Sequence, residues 1–286
     1  MPNHHFAAGT MCPRGRRLFE GEGGLRERAK LVCHCVLLEL PDRLVLIDTG
    51  IGVRDVEHPD RLTRTMRKLM RPTVDRDDTA IARVRALGFD PRDVRDILVT
   101  HLDYDHAGGL ADFPAAKVHV YASEHAAAME RTARMGHQRY RPAQWSHGPH
   151  WVLYEPRGDA WFGFEAVRDL EGLGDDVLML PLIGHTPGHC GVAFRDGDRW
   201  KLHAGDSYFF HGEMDVERPH CTPGLSAYQS LMDADREARL GNQDRLRKLL
   251  RDHGREVDVF CAHDPVELSR MPRPERRRPL VTEARR

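Results

Sequence analysis

The segment 101–106, which reads HLDYDH, constrains this chain more than any other feature of its sequence. It directly follows the short apolar run 96–100, which predicts a buried β-strand, and the small residues 107–109 allow a close turn after it. Four of its side chains are common metal ligands, namely His101, Asp103, Asp105 and His106. Their concentration at one strand end predicts a metal centre, because chance clustering explains it poorly.

Further potential ligands follow three other predicted strands. The turn 184–189 reads GHTPGH and presents His185 after an apolar run. Asp206 and His263 each follow another predicted strand. An isolated histidine or aspartate is usually a hydrogen-bonded polar group without a ligand role. Four strand ends that carry such residues together predict that their side chains converge on one place.

Apolar β-branched runs and helical patterns alternate along the chain. The runs 31–40 and 43–47 are separated by a Pro-Asp pair and predict an antiparallel hairpin. Other predicted strands cover 96–100, 117–121, 177–182, 190–195, 200–204 and 257–262. Predicted helices cover 60–70, 79–87, 123–135 with Ser123 as its cap, and 226–251 with a break at Gly241. This alternation over 286 residues predicts one layered α/β domain with a polar tail from residue 270.

Together these motifs resemble those of the metallo-β-lactamase superfamily, whose members carry HxHxDH, a GHTPGH type of turn, an aspartate and a final histidine. The resemblance spans about residues 31–265. It implies an αβ/βα four-layer sandwich, in which two mixed sheets pack face to face, helices cover the outer faces and the metals lie at one edge. It also implies that the chain is a metal-dependent hydrolase.

The resemblance further implies the ligands of two divalent metal ions. Carried over position by position, one ion is held by His101, Asp103 and His185, the other by Asp105, His106 and His263, and Asp206 bridges the two. The two ions would lower the pKa of a shared water, hold the resulting hydroxide as the nucleophile and stabilise the developing charge. Asp105 is also expected to orient that hydroxide as a catalytic residue.

This chain departs from the family motif at Asp103, where the family usually has a second histidine. In formal counting, two divalent ions, one hydroxide and three ligand aspartates sum to 0, whereas the usual site keeps a charge of +1. We therefore expect a weaker Lewis acid than in a site with histidine there. We also expect a preference shifted towards manganese or iron, with zinc still the first choice.

Residues next to the motifs are assigned supporting roles. Asp48 belongs to a DTG segment that resembles a superfamily element, and we expect it to hydrogen-bond a ligand histidine. His189 is expected to be structural. Tyr208, two residues after Asp206, resembles in its neighbourhood the tyrosine that acyl-homoserine lactonases place near the substrate carbonyl, although its offset differs by one. On that basis Tyr208 is a catalytic candidate.

Other notable side chains have simpler interpretations. The run 33–35, CHC, predicts buried small side chains, because strand alternation separates the histidine from the two cysteines. His147 and His150 lie in the segment 136–164, which we interpret as a loop rich in large rings, and solvated roles are expected for both. The rings are expected to pack, with a pocket wall as the alternative.

These observations favour hydrolysis of a carbonyl ester, with a lactone first and the segment 136–164 as an apolar wall. Thioester hydrolysis, as in glyoxalase II relatives, is nearly as well supported. A diiron redox protein is a third alternative, because flavodiiron proteins carry a glutamate at the position of Asp103, but no flavin-binding domain follows here. Cleavage of nucleic acid ranks lower, because neither a basic track nor a recognition domain is visible.

Composition limits the partners. Lysine and arginine total 43 against 44 acidic residues, so the net charge of -1 offers no general attraction to nucleic acid or an anionic membrane. Residues 1–17 hold no apolar stretch long enough for a signal peptide or membrane span. The six cysteines form no CxxC pair and are expected to be reduced. We therefore expect a cytoplasmic enzyme acting on a small molecule, of unassigned oligomeric state.

Overall fold

Alternating apolar side chains on one hairpin begin the first sheet. In the computed structural model, β2 (Leu31–Glu39) and β3 (Leu44–Ile47) pair in antiparallel fashion, which confirms the predicted hairpin. Successive residues of both strands enter two different apolar clusters, one on each face. A sheet that buries apolar side chains on both faces needs a covering layer on each side.

The structure describes residues 1–73, 75–132, 135–165, 170 and 172–272, and most of the predicted tail therefore lies outside the described residues. Within them, the larger sheet adds β1 (Asn3–Met11), β4 (Val94–Leu98), β5 (Lys117–Tyr121) and β6 (His150–Tyr154). Its order is β1-β2-β3-β4-β5-β6, antiparallel from β1 to β3 and parallel from β3 to β6.

Both edge strands of this sheet were missed by the sequence patterns. β1 precedes the expected core start at residue 31, and β6 lies within the segment 136–164 that we interpreted as a loop. The large rings of that segment mostly pack in the core, and the buried ones are Tyr140, Trp145, Trp161 and Phe164. Plain packing, the default interpretation, accounts for these rings.

The second sheet lies face to face with the first. It consists of β9 (Val177–Pro181), β10 (Cys190–Asp196), β11 (Arg199–His203) and β12 (Val257–Phe260), in the order β12-β11-β10-β9. One apolar cluster joins side chains of both sheets and fills the space between them. A short ribbon pairs β7 (Ala160–Trp161) with β8 (Phe164–Glu165).

The four predicted helices are present with shifted bounds, the last of them as two helices, and further short helices were not predicted. They are α1 (Arg16–Phe19), α2 (Val53–Glu57), α3 (Arg64–Leu69), α4 (Ala80–Ala86), α5 (Tyr104–Ala107), α6 (Ala122–Glu130), α7 (Gly136–Arg139), α8 (Pro223–Met232), α9 (Arg236–His253) and α10 (Pro265–Arg270). Ser123 is not the cap of α6, because the helix begins one residue earlier, after the extended Tyr121.

The long C-terminal helix is broken elsewhere than predicted. The break separates α8 from α9 at residues 233–235, and α9 continues through Gly241. The Asp235 carboxylate accepts a hydrogen bond from the Ala238 amide, so a side-chain cap begins the second helix. Packing of Leu246 and Leu249 against the sheet stabilises α9 despite the glycine.

The layers are complete on both sides of the sheets. Helices α4 and α6 contribute Ala80, Val84 and Ala127 to the cluster outside the first sheet, and α9 covers the second. This arrangement confirms the expected αβ/βα four-layer sandwich. Among the described residues, no helix combines the length and apolar character needed to cross a bilayer.

The position of β1 leads to a stability prediction. Phe6 lies on β1, is 5% exposed and packs in the cluster outside the first sheet. Phe6→Ala is expected to lower the free energy of unfolding by about 3–5 kcal/mol, because it leaves a cavity. Leu25→Ala, at a side chain 62% exposed, is the matched control and should change it by less than about 0.5 kcal/mol. Equal effects in denaturant titrations would show that β1 is not integral to the core.

Candidate metal centre

The predicted ligands lie at the ends of four strands. The chain leaves β4 towards His101 and enters α5, and the turns after β9, β11 and β12 carry His185, Asp206 and His263. All seven candidate side chains are buried, with at most 6% of any residue exposed. Polar and charged groups this deeply buried require compensation by hydrogen bonds or opposite charge.

The structure brings six of the seven into two adjacent triads. In each triad the ligand atoms lie within 4.8 Å of one another, and the triads are His101, His185 and Asp206, and Asp105, His106 and His263. Asp206 Oδ2 lies 3.3 Å from His185 Nε2, and its Oδ1 lies 3.1 Å from His263 Nε2. Asp206 thus belongs to the first triad and also faces the second, which fits the bridging position that the sequence-based assignment gives it.

The donor atoms of the cluster suit divalent cations. His106 Nδ1 lies 2.8 Å from the Asp48 carboxylate, and His263 Nδ1 lies 2.7 Å from the Val32 carbonyl, so both Nδ1 atoms act as donors. Their Nε2 atoms then carry lone pairs, yet these face each other at 3.4 Å. The buried His101 Nε2 likewise has no hydrogen-bond partner. Unpaired buried acceptors of this kind fit metal binding through nitrogen and oxygen.

Asp48 takes the supporting position expected from the sequence. Besides binding His106 Nδ1, its carboxylate accepts hydrogen bonds from the Thr100 amide at 2.7 Å and the Thr100 hydroxyl at 2.8 Å. Its backbone φ of 54° lies in the left-handed region, which is uncommon for a residue other than glycine. The local strain is offset by a fully hydrogen-bonded carboxylate that fixes the orientation of His106.

Two buried side chains hold the ligand turns together. His189 Nδ1 donates to a backbone carbonyl at 2.8 Å, and its Nε2 accepts from the Asp206 amide at 2.8 Å, so both ring nitrogens are engaged in backbone hydrogen bonds, in agreement with the expected structural role. Glu124 accepts from the Leu102 amide at 2.9 Å and the Gly188 amide at 3.1 Å. Glu124 therefore ties the first ligand segment to the GHTPGH turn, and no sequence pattern marked it.

Asp103 lies beside the first triad and forms a buried ion pair. Its Oδ2 is 3.1 Å from His185 Nε2 and 3.4 Å from His101 Nε2, close enough to share a cation with both. Both of its oxygens accept from Arg139, with Nε–Oδ1 and Nη2–Oδ2 distances of 2.8 Å. Such a bidentate pair is geometrically specific and strong.

Arg139 changes the charge of the centre from what the sequence suggested. This guanidinium is fully buried and also donates to the backbone carbonyls of His185 and Met232. Its permanent positive charge raises the formal total from 0 to +1, the value of a site with histidine at position 103. The expectation of weaker Lewis acidity counted the charge of Asp103 and omitted that of Arg139. This arginine lies 36 positions away, in a segment we interpreted as a loop.

The pKa values of the cluster follow from this packing. Burial raises the pKa of Asp103, but Arg139 and His101 outweigh it and hold the pKa well below its usual range. Burial likewise opposes ionisation of Asp206, whereas His263 and His106 lower its pKa well below normal. Burial, followed by His106, lowers the pKa of His101 to about 4. The carboxylates of Asp103 and Asp206 are thus held ionised as acceptors.

The catalytic candidate Tyr208 lies apart from the cluster. It is fully buried among apolar side chains of the second sheet, and its hydroxyl donates to the Glu267 carboxylate at 3.0 Å. Another tyrosine, Tyr228 of α8, packs edge-on against Phe209 with ring centroids 5.7 Å apart, and Phe209 stacks on His263 of the second triad at 5.0 Å. The resemblance favoured Tyr208 for its position near Asp206, and nothing in the local sequence marked Tyr228.

A large cavity lies next to the segment that carries Asp103 and Asp105, because Tyr104 between them lines it. Its volume is about 820 Å³. Tyr104 and Tyr228 line it, together with side chains from α3, α8 and the segment 13–19. The described lining residues include none of the large rings of the segment 136–164. Those rings therefore do not form the wall of this cavity.

The remaining candidates have structural surroundings. All six cysteines are free thiols, and Cys33 and Cys35 are buried, as predicted. The histidine between them bonds His5, with His34 Nε2 and His5 Nδ1 2.9 Å apart. His150 is exposed on β6. These residues lie outside the two triads.

Comparisons with known proteins agree with this geometry. The family model of the metallo-β-lactamase superfamily matches residues 28–251. The probable metallo-hydrolase Rv2300c of Mycobacterium tuberculosis is 38% identical over 262 residues, covering 92% of this chain and 80% of that protein. This chain therefore belongs to the metallo-β-lactamase superfamily, and it is a metal-dependent hydrolase of that superfamily.

Lactonases are among the similar proteins. The N-acyl homoserine lactonase AttM of Rhizobium radiobacter is 28% identical over 164 residues, covering 56% of this chain and 58% of that protein. A solved N-acyl homoserine lactone hydrolase, with N-hexanoyl-L-homoserine bound at its catalytic metal centre, has a TM-score of 0.70 at 20% identity. The alignment covers 95% of this chain and 96% of that one, and at this identity it supports the fold.

The ion pair predicts a coupled effect on stability. Arg139→Met leaves the Asp103 carboxylate buried without its cation, so metal-free protein should lose about 3–5 kcal/mol of unfolding free energy. Asp103→His combined with Arg139→Met removes both charges and should recover part of that loss. Denaturant titrations of the two single variants and the double variant measure this coupling. Additive effects would show that the two side chains act independently.

Proposed function

We propose that this chain hydrolyses a carbonyl ester, with a lactone as the leading substrate class, using two divalent metal ions of which zinc is the first choice. The observation that carries the proposal is the pair of adjacent buried triads, in which Asp206 of the first lies close to His263 of the second, together with a largely apolar cavity lined by Tyr104 of the ligand segment. Their nitrogen and oxygen donors are the ligands that zinc takes in hydrolases. The similarity to N-acyl homoserine lactonases supports a cyclic ester as the substrate.

The chemistry follows from the residues of the two triads. These triads would hold divalent ions, which would supply a lowered pKa for water and stabilisation of negative charge on the substrate oxygen. His101, His185, His106 and His263 present nitrogen donors, and the hydrogen bonds to Asp48 and Val32 fix the last pair. Hydrolysis adds the hydroxyl of water to the acyl carbon, breaks the acyl C–O bond and transfers the proton to the leaving oxygen.

Two further side chains complete the proposed reaction centre. Asp105 Oδ2 lies 3.6 Å from His263 Nε2 within the second triad, from where it can orient the attacking water. Tyr228, which lines the cavity, takes the substrate-facing role that the sequence suggested for Tyr208. A phenol at that point can donate a hydrogen bond to the substrate carbonyl. The six free thiols fit a reducing, cytoplasmic location, which belongs to the same proposal.

The first prediction concerns the reaction and its substrate class. Purified, metal-loaded protein should hydrolyse a medium-chain lactone faster than an acyl thioester of equal chain length. His106→Ala should lower kcat/KM by more than about a hundredfold, the upper end for loss of residues that merely support a metal ligand. His150→Ala, at an exposed histidine on β6, is the control and should keep wild-type activity.

A faster thioester reaction would reverse the order of the two substrate classes. Wild-type turnover of the lactone by His106→Ala, in protein checked for its fold by circular dichroism, would remove His106 from the reaction centre altogether.

The second prediction concerns metal content. Because the triads are distinct and Asp206 of the first also lies 3.1 Å from His263 of the second, fully loaded protein should contain about two divalent ions per chain. Asp206→Ala should weaken binding in both triads, whereas removal of His185 should weaken mainly the first. Elemental analysis after dialysis, with anomalous diffraction to locate each ion, measures this. A single ion in metal-saturated crystals, with no density in the other triad, would contradict the dinuclear proposal.

A further inference from the structure

A cluster of positive side chains stands at the outer end of the cavity. Helix α3 and the turn after it expose four cations, namely Arg64, Arg67, Lys68 and Arg71. Residues 61–74 contain no aspartate or glutamate to neutralise them. Since the whole chain carries a net charge of only -1, this concentration is a local feature. We call these four residues the cationic mouth.

The cationic mouth is continuous with the cavity. Its four side chains line a depression of about 400 Å³, and Lys68 and Arg71 also line the 820 Å³ cavity. Arg14 adds a fifth cation to the lining of that cavity. Among the described residues, the lining of the cavity contains no carboxylate. A negatively charged group entering here therefore meets positive charge without competing acidic side chains.

The remaining lining of the cavity is largely apolar. Met66 and Met70 continue inwards from α3, and Leu231 and Met232 of α8 add to the lining together with Phe19. Methionine side chains adapt to flexible apolar ligands. Tyr104 and Tyr228 line the same cavity beside the ligand aspartates. A cavity of this volume lies within the range of small-molecule sites and suits an extended apolar chain.

We propose that the substrate is an amphipathic acyl ester that carries an anionic group, with phosphate the best match, at the end remote from the scissile bond. The ester lies at the metal centre, the apolar chain fills the cavity and the anionic group binds the cationic mouth. Arginine binds phosphate oxygens through paired N–H donors, and several cations can share a doubly charged group. Hydrolysis leaves this remote group unchanged. The inference rests on the proposed ester hydrolysis for its catalytic part only.

Matched lactones test the inference by kinetics. Three lactones with equal alkyl chains end in methyl, carboxylate or phosphate. At low ionic strength we expect kcat/KM to be about tenfold higher for the phosphate than for the methyl compound. This difference should arise from a lower KM for the phosphate compound, and it should disappear in high salt. The double variant Arg67→Gln/Lys68→Gln should bring the ratio close to one. Lys248→Gln/Arg251→Gln removes two exposed charges from α9 and is the control that should keep the ratio.

A binding measurement separates this inference from the proposed function. Calorimetry with octyl phosphate and octanol on metal-loaded protein should show roughly threefold to tenfold weaker phosphate binding in Arg67→Gln/Lys68→Gln and no change in the control. If no lactone is hydrolysed but this difference appears, the ester hydrolysis fails and the anion site stands. Equal kcat/KM for all three lactones, or octyl phosphate binding unchanged in the double variant, overturns the inference.

Discussion

Compensation of buried charge is the constraint on which this structure depends. Three aspartates and four histidines lie almost completely buried at one end of the sandwich, where an uncompensated charge costs several kcal/mol. Arg139 compensates Asp103 through a bidentate pair, and histidines surround Asp206. The remaining lone pairs, on Nε2 of His106 and His263, face one another at 3.4 Å, an arrangement that suits binding of a metal cation. The centre is thus coherent only as a unit of acidic, basic and metal-binding groups.

The scaffold fixes the positions of the buried ligand side chains. Strands of both sheets end at the centre, and the turns after them are joined by hydrogen bonds that cross large sequence distances. Asp48 orients His106, Glu124 ties the first ligand segment to the GHTPGH turn, and His189 holds the amide of Asp206. These supporting groups are themselves buried and hydrogen-bonded, so the ligand atoms are positioned before any metal binds.

The proposed chemistry and the proposed recognition occupy different ends of one cavity. The reaction centre belongs to residues at strand ends, whereas the cationic mouth belongs to α3 and the turn that follows it. The apolar wall between them can pack against a substrate chain without requiring one exact chemical composition of that chain. A division of this kind lets substrate preference change through surface helices while the ligands stay the same.

The sequence by itself determined the family, the layered fold and a candidate ligand set, and it predicted that Asp48 supports a ligand histidine. Each of these follows from local patterns, namely apolar runs that end in histidine or aspartate. The tertiary structure alone decided what long-range packing controls. It paired Asp103 with Arg139, placed Tyr208 in the core and Tyr228 beside the centre, and added β1 and β6 as edge strands. The physical reason is that burial and charge compensation depend on which distant segments meet, and a half-exposed edge strand or a lone arginine carries no periodic signal of its own.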